Sequence, residues 1–174
     1  MPFQTAAVGD KIPEVTLTYV PYDAHADPNA CGRPVPLKSS KDFAGKKVVI
    51  VGVPGAFTPT CSETHVPGFI EKLSELKSKG VDEVLIYSIT DAFVMYGWSK
   101  VVGGADKGIK FVGDANGELA TKLGLSQDLS SMGFGQLRSK RFALVIDDLV
   151  LKYVGVESGP EVSASSADAV LKSL

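Results

Sequence analysis

The sequence predicts an α/β architecture in which a mixed central sheet is flanked by helices. Three observations carry this. The run from Lys47 to Pro54, KVVIVGVP, is continuous, apolar and β-branched, as in a strand covered on both faces. Downstream of it, segments with helical spacing alternate with short apolar strands, the order that builds parallel pairs through crossovers. Near the end, Phe142–Ile146 and Val150–Val156 are separated only by Asp147-Asp148, which reads as a hairpin and adds antiparallel strands.

The elements follow in order. Between Glu14 and Val20 the apolar residues Val15, Leu17 and Tyr19 alternate with polar ones, the pattern of a half-buried strand. Pro21 to Lys41 is polar and rich in Pro, Asp, Ala and Ser, and reads as a long loop holding Cys31. A loop of that length in a compact domain implies a role or a concealed hairpin. After the Lys47–Pro54 strand and the Pro54-Gly55 break, Val66, Phe69, Ile70, Leu73 and Leu76 fall at helical spacing within 62–79, with a kink expected at Pro67. Val81–Ile89 reads as a strand, Ala92–Val102 as a helix, Ile109–Val112 as a strand and Glu118–Leu123 as a short helix. Ser126–Ser139 is a polar, glycine-bearing loop. A final helix opens at Ser165–Asp168, where a serine serves as N-cap.

With 174 residues the chain fits one domain over 1–174, and a share of 44% hydrophobic residues supplies a core without covalent staples. No internal repeat or linker divides it. A net charge of -2 provides no field for a phosphate backbone, and Arg138, Lys140 and Arg141 form too short a cluster to reverse that, so nucleic acid is excluded as a partner. No stretch approaches the roughly 20 apolar residues of a membrane span. Met1 to Pro13 lacks a basic segment followed by an apolar run, so no secretory signal is expected. The terminal Lys172-Ser173-Leu174 differs in order from the Ser-Lys-Leu peroxisomal address. The expected location is cytoplasmic, with a peroxisomal or other organellar site as the alternative.

The chemistry concentrates in Pro54-Gly55-Ala56-Phe57-Thr58-Pro59-Thr60-Cys61. This segment places Cys61 just past a buried strand, in the first turn of a helix, where unpaired N–H groups and the dipole favour a thiolate. Thr58 can hold its hydroxyl near the sulfur or near an oxygen bound there, while Pro54 and Pro59 stiffen the loop. Thiolate formation alone is insufficient for catalysis. Lowering a thiol pKa from about 8.5 to about 6 raises the thiolate fraction roughly 10- to 20-fold, under about 2 kcal/mol, whereas enzymes commonly remove about 8 kcal/mol or more from a barrier. The remainder requires donors that orient a substrate and stabilise a leaving oxygen. Arg141, at the start of a predicted core strand, is the candidate cation; its alternative reading is a solvated strand-end charge.

These residues resemble a known family. Pro54, Thr58 and Cys61 match the Pro-x-x-x-Thr-x-x-Cys signature of peroxiredoxins. PGAFTPTCSETHVPGFIEK, DAFVMYGWSK and SKRFALVIDD, the last including Arg141, resemble the type II (type V) branch, and the resemblance runs from about Lys46 to the C-terminus. It implies a thioredoxin-like fold and no metal or organic cofactor. It implies that Cys61 attacks the terminal oxygen of hydrogen peroxide or an alkyl hydroperoxide, giving a sulfenic acid, with Pro54, Thr58 and Arg141 around the peroxide. Thioredoxin or glutaredoxin is the implied reductant. A homodimer through the active-site-loop face is also implied, with Phe57, Met95 and Trp98 as surface candidates or, alternatively, core residues.

No cysteine follows Cys61, so Cys31 is the only internal resolving thiol, and it resembles the upstream cysteine of some fungal members. The bridge to Cys61 can then form between chains or within one, or an external thiol can attack instead. Two other readings use the same residues. In one, Cys61 is a redox sensor read by a partner protein. In the other, Cys61 and His65, at i and i+4, join His25 and Cys31 in a zinc site. Otherwise His65 reads as a helix-surface or structural residue.

Overall fold

The computed structural model describes residues 4–174, so the first three residues of the amino-terminal segment lie outside the described residues. The strands are β1 (Thr16–Tyr19), β2 (Val35–Lys38), β3 (Lys47–Gly52), β4 (Glu83–Ser88), β5 (Lys110–Gly113), β6 (Ser126–Gln127), β7 (Arg138–Ser139), β8 (Phe142–Asp147) and β9 (Val150–Val156). The helices are α1 (Ser39–Asp42), α2 (Val66–Glu71), α3 (Leu73–Ser78), α4 (Ala92–Val102), α5 (Glu118–Lys122) and α6 (Ala167–Ser173). Seven strands form one mixed sheet in the order β2-β1-β5-β4-β3-β8-β9. The neighbours β3, β4 and β5 are parallel, and the pairs toward both edges are antiparallel. This is a thioredoxin-like sheet flanked by helices.

Alternation along the central strands makes two cores. Val49 and Val51 of β3 and Val145 of β8 face one side, packing with Phe69, Met95, Trp98 and Cys61. Val48, Ile50, Leu144 and Phe142 face the other, with Tyr87 and Leu119. Gly52 has to be a glycine, because a Cβ there would stand 2.2 Å from the Phe142 ring directly opposite. That register puts Arg141, one residue before Phe142, beside the chain that leaves β3 for the Pro54–Cys61 loop.

Several local expectations change. The long early loop conceals β2, which pairs antiparallel with β1. The helix expected over 62–79 is a π-helical turn at Cys61–His65 followed by α2 and α3. Pro67 has no N–H to donate, so it cannot make the ordinary bond to the turn before it. The widened bond from Val66 N to Cys61 O closes the π turn just upstream. The Ser126–Ser139 loop is pinned at its base by the two-residue strands β6 and β7. The late hairpin turns one residue further on than expected. Asp147 still pairs with Val150, and Asp148 and Leu149 take the positive φ angles, 44° and 70°, of a two-residue turn matched to strand twist. Helix α4 has the expected bounds and is capped by Asp91, whose Oδ1 accepts from Phe93 N and Val94 N.

Candidate active site

Cys61 opens the π-helical turn at the carboxyl end of the central strand and is fully buried. Its sulfur receives an N–H from Arg141 Nη2 at 3.4 Å. The same guanidinium donates through Nη1 to His65 Nδ1 at 3.1 Å. Arginine has only donors, so Nδ1 must be an acceptor and the imidazole proton must lie on Nε2. That proton is donated to the carbonyl of Ser165 at 2.8 Å. Burial, with a smaller contribution from Arg141, holds His65 down at about 4 against the opposing effects of the Ser165 hydrogen bond and Glu157. A neutral imidazole therefore orients a charged guanidinium onto the thiol.

A cavity of about 390 Å³ reaches this cluster at Arg141, and its walls also include Pro54, Thr58 and Glu157 together with Leu129, Met132 and Phe134. The last three come from the β6–β7 loop. Arg138 fixes that loop by donating from Nε to the Phe134 carbonyl at 2.6 Å. The Thr58 hydroxyl does not donate to sulfur; it donates to Gly55 O at 2.9 Å, which leaves its lone pairs free to accept. Pro54 follows Val53, whose backbone is held between Tyr87 O and the Ser88 hydroxyl. Phe57 bends the loop through a left-handed residue at φ 64°, a conformation that costs a non-glycine residue energy and is found in over-determined functional loops. A cysteine sulfur next to a fixed guanidinium, near a cavity walled by an acceptor hydroxyl and apolar side chains, has the surroundings to attack a small polarised bond once ionised and to stabilise an oxygen leaving it.

Cys31 is not part of this cluster. It is an exposed free thiol on a loop held to α4, where Lys100 Nζ donates to the carbonyls of Pro28 and Ala30 at 3.4 Å. Met95 and Trp98, for which the sequence left surface and core open, are fully buried core. Their helix spacing matches an outward stripe equally well, and the tertiary packing decides. Trp98 Nε1 donates to Ser62 Oγ at 3.0 Å, next to Cys61. Of the three surface candidates Phe57 is exposed, as are Phe93, Val94 and Val101. His65 is likewise no surface residue, being 1% exposed. Both its ring nitrogens are engaged, so it has no lone pair for zinc. His25 lies in an exposed turn next to Asp23. Among the described residues, no group of three or more His, Cys, Asp or Glu is placed to hold a metal.

Sequence reading missed the working role of His65 and the whole contribution of Ser165. The only signal was His65 at i+4 from the thiol; its partners lie 76 and 100 residues away.

The Redoxin family profile matches residues 7–171. Peroxiredoxin-2B of Arabidopsis thaliana is 50% identical over 168 residues, covering 97% of this chain and 98% of the relative. The chain belongs to the peroxiredoxins. As a member of that family it is a thiol-dependent peroxidase. Among solved structures, reduced Prx3 of Vibrio vulnificus in complex with H2O2 superimposes on this peroxiredoxin with a TM-score of 0.83 at 37% identity, covering 97% of this chain and 95% of the other. A chloroplastic relative, Peroxiredoxin-2E-2 of Oryza sativa subsp. japonica, is 46% identical, covering 98% of this chain and 73% of that relative. Among the described residues no helix is long and apolar enough to cross a membrane.

Proposed function

We propose that Cys61 is the peroxidatic nucleophile and that Arg141, Thr58 and Pro54 are its catalytic partners. The observation that carries this is the Arg141 fork, with one N–H on Cys61 Sγ and another on His65 Nδ1. The thiolate attacks the terminal oxygen of a hydroperoxide, forming an S–O bond while the O–O bond breaks. Sulfur is oxidised to a sulfenic acid, the peroxide is reduced, and the departing oxygen takes a proton to leave as water or an alcohol. Arg141 stabilises the thiolate and then the oxygen on which charge develops. Thr58, its proton committed to Gly55 O, accepts from the proton-bearing peroxide oxygen and so aligns the O–O bond with sulfur. Pro54 packs the wall of the cavity and contributes no competing N–H. The apolar wall of Leu129, Met132 and Phe134 suits an alkyl substituent as well as hydrogen peroxide.

Cys31 then resolves the intermediate. Its thiol attacks the sulfenic sulfur and expels water, giving a Cys31–Cys61 disulfide that thioredoxin or glutaredoxin reduces. Cys61 is fully buried and Cys31 exposed, so the π-helical turn has to open for the bond to form. Support for a bridge between chains of a homodimer comes from the exposed apolar side chains Phe57, Phe93, Val94 and Val101, on the loop and helix nearest the site. Residues 1–174 act as a single domain in the cytosol in this reading, with a peroxisomal or other organellar location as the alternative.

Intact mass and non-reducing electrophoresis after an equimolar dose of hydrogen peroxide test the scheme. Wild type loses both thiols and doubles in mass. Cys31→Ser still oxidises at Cys61 but forms no Cys31–Cys61 bridge, and Cys61→Ser consumes no peroxide. Fast peroxide reduction by Cys61→Ser sinks the assignment.

A further inference from the structure

Beside Arg141 and His65 lies a second polar assembly that has no hydrogen bond to the thiol, and its Glu157 shares a wall of the cavity with Arg141. Glu157 follows β9 directly across from Arg141, its backbone N donating to Arg141 O at 3.0 Å. Its carboxylate accepts four hydrogen bonds. Oε1 takes Ser163 N at 2.6 Å, Ser165 N at 2.7 Å and Ser165 Oγ at 2.8 Å, and Oε2 takes Ser163 Oγ at 2.9 Å. Although burial pushes Glu157 up, the bonds from Ser165 and Ser163 prevail and hold it below the ordinary carboxylate range. The same stretch of chain is tied from β9 by Tyr153, whose hydroxyl donates to Ala164 O at 2.6 Å. At Gly155 a Cβ would stand 2.1 Å from that carbonyl.

We propose that Glu157 is a positioning residue for the peroxidase reaction, acting on Arg141 through Ser165 and His65; this rests on Cys61 being the reacting thiol. Glu157, Tyr153 and Gly155 together fix one atom that matters to the site, the Ser165 carbonyl oxygen that receives His65 Nε2–H. If that acceptor moves away, the imidazole loses its reason to keep the proton on Nε2. With the proton on Nδ1, an N–H would face the Arg141 N–H, and the guanidinium would lose one of its two anchors. The start of α6 does not require this arrangement, since Ser166 already caps it by accepting from Ala169 N. Three donors on Oε1 and one on Oε2 hold the Glu157 carboxylate toward Ser163 and Ser165. Charge-assisted hydrogen bonds are roughly twice as strong as neutral ones, so an amide in place of the carboxylate weakens the clamp and turns an NH2 toward donors.

The test measures, for Glu157→Gln in the full-length chain, the rate constant of Cys61 oxidation by hydrogen peroxide and the rate of Cys61 alkylation by iodoacetamide at about pH 9, where thiols are largely ionised. The expected result is a peroxide rate lower by about tenfold with an alkylation rate no faster than wild type, since Arg141 is mis-set while the thiol stays buried. Leu123→Ala, a core truncation on the opposite face of the sheet, controls for lost stability and keeps the wild-type peroxide rate. In a His65→Leu background, where residue 65 has neither donor nor acceptor, Glu157→Gln adds little, because the two act along one route. A wild-type peroxide rate in Glu157→Gln, or full additivity with His65→Leu, overturns the proposal. A peroxide loss that Leu123→Ala shares at equal melting temperature overturns it too. Cys61→Ser separates the two levels. Inactive Cys61→Ser with unimpaired Glu157→Gln removes only the role of Glu157, whereas active Cys61→Ser removes the reading of Cys61 along with it.

Discussion

Acidification should destabilise this protein through His65. In the folded chain His65 is neutral, with its pKa held down at about 4 by burial, against an ordinary 6.5 when unfolded. Between those values the unfolded state binds a proton that the folded state refuses, so stability falls as pH falls through that window. The cost from this one group is about 1.2 kcal/mol at pH about 5.5 and about 2.4 kcal/mol at pH about 4.5, relative to neutral pH. Urea melts at these pH values, run in parallel on wild type and His65→Gln, isolate the effect. Glutamine can still donate to Ser165 O and accept from Arg141, but it does not titrate. The wild type should lose stability more steeply by about those amounts, so any deficit of the variant at neutral pH narrows or reverses in acid. Glu157, the other titrating neighbour, remains ionised through most of this range and is common to both proteins. Parallel pH slopes for the two proteins would refute the assignment of a neutral, buried His65.

Two further outcomes follow from the same geometry. Arg141→Lys should lower the second-order rate constant for hydrogen peroxide by about ten- to a hundredfold, because an ammonium on a flexible stem cannot span Cys61 Sγ and His65 Nδ1 as the planar fork does; stopped-flow oxidation measures it, and a loss under threefold would contradict the fork. Gly155→Ala should cost about 2 kcal/mol or more in a urea melt, since its Cβ would collide with the backbone oxygen of Ala164, which has no side-chain freedom with which to yield.

Much of the fold is legible because it is written locally. The β-branched run of β3, the Asp91 cap and spacing of α4, and the Ser166 cap of α6 each lie within a few residues of one another. Strands β2, β6 and β7 were hidden because segments of two to four residues carry too little periodicity, and only their partners make them strands. The split of the long helix followed from Pro67 only in part: the proline predicts a disturbance, but the π turn is a tertiary outcome, and nothing in the residue chemistry at Lys72 explains the second break. Met95 and Trp98 illustrate the opposite ambiguity, apolar positions whose side of the helix is set by what packs there. In the site, Cys61, Thr58 and Pro54 come from one contiguous motif. Arg141 reaches them only through the antiparallel β3–β8 register, and Ser165 reaches His65 across 100 residues. Local sequence marks the sulfur proposed to react, while the groups placed around it are a property of the assembled sheet.

The hydrogen bond from Trp98 to Ser62 gives the chain a built-in optical gauge. Trp98 is the sole tryptophan, fully buried, packed edge-on against Phe111 and in contact with Phe57 of the loop. Its indole is bonded to the residue that follows Cys61. Emission excited at the red edge of protein absorption therefore reports from one place, within a residue of the sulfur. A departure of the π-helical turn from this arrangement would change the polarity around that ring, so Trp98 emission in unlabelled protein should report it.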